Sequence, residues 1–298
     1  MDKNGQTKIA EVPYRTSAGS PPGVEILDFP GLLARALGHG VDPYAPKRPT
    51  FHQLISVRSG VLRCSVDFTD HELTAGSWLW VRPGQVTVYR SDLAEVDGTV
   101  VLFPASVLSG ATVGFAGVDR RAWRLPLSLT AEDADSVRRI LELLESEYRQ
   151  LAGPPLEVHV EVLRHLLAAL VLRLAHLRGG DGGEVPGSEA FHRFGQAVER
   201  GFARNHRVED YAKDLGYSVR TLTRATRAAA GCGAKQYIDD RVLLEAKRLL
   251  VHTELSATAI GKRIGFPDTT VFTRFFRQRV HQTPATFRAH AAGTFVTA

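Results

Sequence analysis

The chain has 298 residues, enough for two domains, with 44% hydrophobic and 23% charged residues, an ordinary balance for a folded globular protein. Its two cysteines, Cys64 and Cys232, lie far apart and fit neither a disulfide framework nor a zinc motif, so a reducing, cytoplasmic setting is expected. The net charge of +5 is unevenly placed: residues 188–298 hold 18 Lys/Arg against 10 Asp/Glu, and residues 1–187 hold 19 against 22. A basic C-terminal third suits a phosphate-bearing partner.

Residues 1–22 read as a flexible tail, closed by Pro21-Pro22-Gly23, and no apolar run follows Met1, so no signal peptide is expected. Residues 23–129 are taken as one domain, with β texture from 50 to about 125. Leu62, Cys64, Val66 and Phe68 alternate with polar residues, the period of a half-buried strand. Turn signals recur at Ser59-Gly60, Thr69-Asp70, Ala75-Gly76, Pro83-Gly84 and Asp97-Gly98, with strands expected over 77–81, 86–89 and 99–103. Short strands at this spacing make a small barrel or sandwich.

The chain offers little for catalysis. No Gly-x-Ser-x-Gly elbow or phosphate loop occurs, and His71-Glu72 begins a His-Glu-x-x-His pattern that Ala75 leaves incomplete. His52 is followed by Gln53 and Leu54. Single histidines of this kind are usually structural, so no catalytic residue, metal ligand or cofactor is assigned.

Residues 130–178 change to helix. Thr130 with Asp133 marks a start, and Val137, Ile140, Leu141, Leu144, Tyr148 and Leu151 follow as one stripe until Gly153-Pro154-Pro155. A second helix carries Leu163, Leu166, Leu167, Leu170, Leu174 and Leu177. Arg164, His165, Arg173 and His176 interrupt it, so it is no membrane span. The hairpin either packs only against its own β domain or, being apolar over more than one stripe, also forms a dimer interface. Residues 179–187 contain five glycines and a proline and read as a tether.

Residues 188–298 form an all-helical domain that says nearly the same thing twice. Leu222, Thr223, Arg224 and Arg227 recur fifty positions later as Phe272, Thr273, Arg274 and Arg277, while Gly216-Tyr217 and Gly265-Phe266 recur at an offset one shorter. Each copy is a short amphipathic helix (208–215, 256–264), a glycine turn and a second helix (218–230, 268–280), the outline of a helix-turn-helix. On the second helices Arg220, Thr223, Arg224 and Arg227, and likewise Thr270, Thr273, Arg274 and Arg277, form one polar stripe at i, i+3, i+4, i+7. Such a helix fits the major groove of DNA. Arg220, Thr223, Arg224, Thr269, Thr270, Thr273 and Arg274 are the candidates for base or near-base contacts, and Arg227 and Arg277, one turn further, for phosphate. Thr270 has a second candidate role, as a cap of its helix beside Asp268.

These residues resemble the AraC/XylS family of transcriptional regulators. The resemblance rests on Arg241, Ala246, Leu249-Leu250, Ile260, Gly265-Phe266, Asp268, Phe272, Arg274, Phe276, Thr283-Pro284 and Phe287-Arg288. The chain departs from the family pattern at Thr226 (usually phenylalanine), at Gly231-Cys232-Gly233-Ala234, at Gly261 (an alanine) and at His281 (a glycine). Phe51-His52, Gly60, Leu73-Thr74-Ala75-Gly76 and Arg82-Pro83-Gly84-Gln85 look like the family's cupin-type effector domain, although the His-x-His pair of cupin metal sites is missing and Thr87 stands near where their later histidine falls. The resemblance implies an α+β two-domain protein: a cupin-like β-barrel with a helical hairpin, then two helix-turn-helix motifs. It further implies a DNA-binding activator that dimerises through 130–178, meets RNA polymerase and responds to a small organic effector in the barrel. The alternative is a cupin metalloenzyme with a DNA-binding tail. A rigid connecting helix from Ala234 would set the two readers about one DNA turn, roughly 34 Å, apart.

Overall fold

The computed structural model describes residues 9–17, 20–117, 123, 125–150, 155–179 and 188–296. Contacts divide the chain into two compact units, one of Ile9–Gly183 and one holding Glu184–Ala298. Most of the expected tail and tether (residues 1–8, 18–19 and 180–187) and the break at Gly153-Pro154 lie outside the described residues.

In the first unit the described strands form two five-stranded sheets. One runs β1 (Ala10–Val12), β3 (Lys47–Pro49), β8 (Thr87–Tyr89), β5 (Leu62–Val66), β6 (Thr69–Leu73). The other runs β10 (Leu127–Ser128), β7 (Ser77–Val81), β4 (His52–Ser59), β9 (Asp97–Phe103), β2 (Glu25–Leu27). Ile55, Val57, Leu79, Val100 and Leu102 face Leu62, Cys64 and Leu73 across the sandwich. Leu54, Trp78, Trp80, Val101 and Phe103 point the other way, into a second core under the helices. Burial on both faces makes β7 and β9 continuous apolar runs, and clear alternation survives in β5, whose outer face is wet.

Two sequence expectations are corrected here. Phe68 does not extend β5: Asp67 and Phe68 form a two-residue turn with φ of 48° and 69°, pairing Val66 with Thr69 and leaving Phe68 38% exposed. Thr69-Asp70, expected as the turn, starts β6. The Asp67 carboxylate accepts from Val86 N (3.0 Å) and Gln85 Nε2 (2.9 Å), bonds to a segment distant in sequence that help hold a left-handed aspartate. Nor is the N-terminal segment all tail, because β1 pairs in parallel with β3 and Tyr14 packs edge-on against Phe51 at 5.6 Å. The sequence reading also missed α1 (Phe29–Gly38), whose N-cap Asp28 accepts from Gly31 N at 2.7 Å, and α2 (Gly110–Ala116).

The hairpin is α3 (Ala131–Arg149) and α4 (Leu156–Gly179), with Thr130 capping α3 through Asp133 N. Leu163, Leu167, Leu170 and Leu174 are buried against the second sheet and α2. This stripe therefore serves the chain's own core and not a partner. The opposite face of α4 carries Val158, Val162, His165, Ala169, Leu172 and His176 in a 4-3-4-3-4 spacing, with Val158 and Leu172 exposed.

The second unit packs α5 (Ser188–Gly201), α6 (Val208–Leu215), α7 (Val219–Ala230), α8 (Ala234–His252), α9 (Ala257–Arg263), α10 (Thr269–Val280) and α11 (Pro284–Val296) around one core. Its axis is α8, whose Ile238, Val242, Ala246 and Leu250 are fully buried and which touches α5, α6, α7, α9 and α11. Among the described residues no helix is long and apolar enough to cross a membrane.

Candidate nucleic-acid interface

Each helix-turn-helix copy closes in the same way. At the end of α6, Tyr217 N donates to Ala212 O (2.9 Å) and Gly216 takes φ 71°; after α9, Phe266 N donates to Gly261 O (2.9 Å) and Gly265 takes φ 89°. This is the glycine-terminated helix end that satisfies otherwise orphaned carbonyls. At Gly265 a Cβ would also stand 2.6 Å from the Ala203 carbonyl, so the turn needs glycine twice over. The change of offset between the repeats has a simple cause: Pro267 adds one residue between the second turn and its reading helix.

The reading helices start on capping side chains. Ser218 Oγ accepts from Thr221 N (3.0 Å), and Asp268 Oδ1 accepts from Val271 N (2.9 Å). Asp268 is thus the cap, which leaves Thr270 exposed and overturns its alternative role. In α7, Leu222, Ala225 and Thr226 are buried while Arg220, Arg224 and Arg227 are exposed and Thr223 is half-buried. In α10, Phe272 and Phe276 are fully buried, and Thr270, Arg274 and Arg277 are exposed. Thr273 and Thr269 are half-buried, the latter donating its hydroxyl to Thr258 on α9 at 2.8 Å.

The sequence reading missed two residues of this face. Gln278 lines the same groove as Thr270, Arg274 and Arg277, four residues beyond Arg274. Val271, 44% exposed, stands beside Arg274 on the outward side of α10. The i+4 step from Arg274 would have found Gln278. An exposed valine carries no signal in sequence.

Side chains far from the stripes hold the helices in place. Arg241 on α8 reaches back to Glu199 of α5 (2.8 Å) and along its own helix to Glu245 (3.2 Å), with its guanidinium 3.9 Å from the Phe202 ring centroid. Asp239 of α8 takes both Lys235 and Arg279, so α10 is tied to the connecting helix by charge, while Arg279 also lies over Phe275 of its own helix. Arg288 donates to the carbonyls of Leu250 (2.8 Å) and Leu255 (2.5 Å) at the α8–α9 junction. His206, between α5 and α6, donates Nε2–H to Ile264 O (2.8 Å) and packs on Phe266, and burial holds its pKa below the ordinary 6.5.

The departures from the family pattern have local explanations. Thr226 is fully buried and returns its hydroxyl to Leu222 O at 2.7 Å. Gly261 admits Phe272, whose Cβ would lie 3.0 Å from an added methyl. His281 adopts the left-handed φ of 59° that a glycine would take more easily.

In the first unit, His52 accepts from Trp80 Nε1 (3.1 Å) and stacks on Phe103 at 4.9 Å, on the helical side of its sheet, whereas His71 pairs in register with Cys64 on the other sheet. Among the described residues no three His, Cys, Asp or Glu gather to hold a metal ion. Both cysteines are buried thiols.

A β-sandwich with a helical hairpin and a helical unit with paired helix-turn-helix motifs define a two-domain class of protein with a DNA-binding half. Residues 29–185 match the family model of the AraC-like ligand binding domain, and residues 211–290 match that of a helix-turn-helix domain. The chain belongs to the AraC family. Among curated proteins it is similar to the HTH-type transcriptional activator RhaS of Salmonella schwarzengrund, 26% identical over 166 residues that make up 56% of each chain. The chain thus spans about half the length of the curated relatives it matches. A solved AraC-type transcriptional regulator from Chromobacterium violaceum is 26% identical, covering 38% of this chain and 97% of that one with a TM-score of 0.33. ToxT from Vibrio cholerae is 11% identical over 89% of this chain and 96% of its own, with a TM-score of 0.39.

Proposed function

We propose that the protein is a sequence-specific transcription regulator, an activator in the manner of the named relative, which reads double-stranded DNA with α7 and α10. The observation that carries this is the pair of equivalent polar stripes, each on a reading helix whose other face is sunk in one shared core. Arg220, Thr223 and Arg224 on α7, and Thr269, Thr270, Thr273 and Arg274 on α10, meet base edges, joined by Gln278; Arg227 and Arg277 meet phosphate. The 19 residues of α8 span about 28 Å, near the length of one DNA turn, so the two helices enter successive windows of one groove face. The protein works by binding and not by catalysis. RNA polymerase is its partner at the promoter, the first unit takes a small organic effector, and the working setting is the cytoplasm.

The outer face of α4 supports a homodimer. Val158, Val162, His165, Ala169, Leu172 and His176 keep the 4-3 spacing of a helix-pairing seam, and Val158 and Leu172 are exposed large apolar side chains. Leu172→Asp converts the dimer to monomer in sedimentation experiments at micromolar concentration; a wild-type chain that is already monomeric there removes the interface. The DNA reading is tested by selecting ligands from a random duplex library. Two clusters of base preference about ten base pairs apart are expected, and a library that shows no enrichment defeats the proposal.

A further inference from the structure

A cleft of about 310 Å³ opens outside the sandwich, between α3 and the adjacent stretches of β4 and β7. Its size suits a small organic molecule, near the lower end of ligand pockets at roughly 300 Å³. Trp78, Leu129, Val137 and Leu141 make its walls apolar.

The sheet register places the polar groups. Ser56 pairs with Trp78 on one side and with Thr99 on the other, so all three side chains share the face beneath α3. Thr99 Oγ1 donates to Glu145 Oε1 at 2.6 Å, and Arg149 donates to the other carboxylate oxygen at 3.1 Å. Glu145 is 9% exposed and lines the cleft. Each of its oxygens keeps a second acceptor position. Ser56 is 8% exposed, yet its hydroxyl has no hydrogen-bond partner among the described residues. The hydroxyl lines the cleft and is free to bond to whatever occupies it.

The charges select the occupant. The guanidinium groups on the rim are already committed, Arg58 to Asp97 at 3.1 Å and Arg138 to Asp135 and Glu142. An acid entering the cleft would meet the Glu145 carboxylate with both rim cations engaged elsewhere. A donor would find two acceptors.

We propose that this cleft binds a small molecule with an apolar body and a hydroxyl or amino donor, the donor bonding to Glu145 and a second polar contact completing Ser56. The site lies outside the barrel interior, where the effector was expected from sequence, and one of its walls is α3, which packs against α4. It does not rest on the DNA reading.

The test titrates the 298-residue chain, without DNA, with benzyl alcohol, benzylamine and benzoate, followed by calorimetry and by tryptophan fluorescence, since Trp78 lines the cleft. Benzyl alcohol or benzylamine should bind, and which of them binds more tightly separates a hydroxyl from an amino ligand. Benzoate should bind about tenfold more weakly or worse. Ser56→Ala should weaken the preferred probe several-fold, and Ala134→Leu, which fills the cleft from α3, should abolish binding. Should Ala134→Leu fail to fold, Ser56→Ala alone decides. The proposal is overturned if none of the three probes binds, if benzoate binds as well as the others, or if affinity is unchanged in Ser56→Ala.

Discussion

The two helix-turn-helix copies share a backbone plan but supply its core differently. In the second copy the reading helix brings its own aromatics: Phe272, Phe275 and Phe276 pack at tilted or edge-on angles against one another and against Phe266 and Phe287, at centroid distances of 4.9–6.0 Å. In the first copy the equivalent positions are Leu222, Ala225 and Thr226, and the rings come from elsewhere. Phe191 and Phe194 of α5 pack against Tyr237 of α8 and Tyr211 of α6. The first reader therefore takes its rings from α5, α6 and α8, whereas the second carries most of its own and borrows Phe287 from α11. A repeat in sequence can keep its function-bearing face while its buried face is refilled from other elements.

The largest expected effects break this comparison at its centre. Phe194→Ala and Phe276→Ala should each cost about 3–5 kcal/mol of stability in the second unit, as large aromatic truncations in a core do. Hydrogen exchange should then separate them, with α7 losing protection first in Phe194→Ala and α10 first in Phe276→Ala. Equal loss over both helices in both variants would show that the copies are not supported independently. Next in size are the readers. Arg224→Ala and Arg274→Ala should each cost about 1–3 kcal/mol on the selected DNA site, measured by fluorescence anisotropy. The loss should be greater at Arg274, where Val271 and Gln278 share the surface.

Smaller effects follow from how each copy ends. The first reading helix stops at Gly231 (φ 71°) and the second at His281 (φ 59°). His281→Gly should stabilise the second unit by about 1 kcal/mol in thermal or denaturant unfolding, because a left-handed side chain is strained. Gly231→Ala should have the opposite sign. The smallest effect concerns His206, which braces the second turn alone. Its folded pKa lies below 6.5, so between those two values the unfolded chain holds the extra proton and stability falls as pH falls. Melting of the second unit at about pH 7.5 and pH 5.5 should show a drop that His206→Gln reduces.

Much of the second unit was legible because period and repetition reinforce each other: arginines and threonines at helical spacing and glycines at the turns. Helix ends fell within a residue or two of expectation, and the extra Pro267 was already visible as an offset that did not match. The first unit was legible in strand content but not in layering. Strands β4, β7 and β9 are buried on both faces, so their sequences do not alternate and cannot show which side meets the helices. The turn at Asp67-Phe68 was hidden because a hydrophobic residue takes a left-handed position there, and the bonds that hold the turn run from Asp67 to Gln85 and Val86, 18 and 19 residues away. On α4 the leucine stripe was visible, but which stripe faces the sheet depends on packing. Val271 was invisible as a site residue because only exposure distinguishes it from core. The cleft at Ser56 and Glu145 is assembled from strand register and the placement of α3, and no local pattern records it.

The central claim is that two equivalent stripes read DNA, with Arg224 and Arg274 at base edges and Arg227 and Arg277 at phosphate. Its most direct measurement is a salt titration of binding to the selected duplex and to random duplex for Arg224→Ala, Arg274→Ala, Arg227→Ala and Arg277→Ala. The account predicts that Arg224→Ala and Arg274→Ala lose specific affinity by about 1–3 kcal/mol with much smaller loss on random DNA. Arg227→Ala and Arg277→Ala should weaken both duplexes alike and lower the salt slope by about one counterion each. Equal losses on both duplexes for Arg224→Ala and Arg274→Ala would contradict it, leaving these arginines as phosphate clamps and the stripes without a reading role.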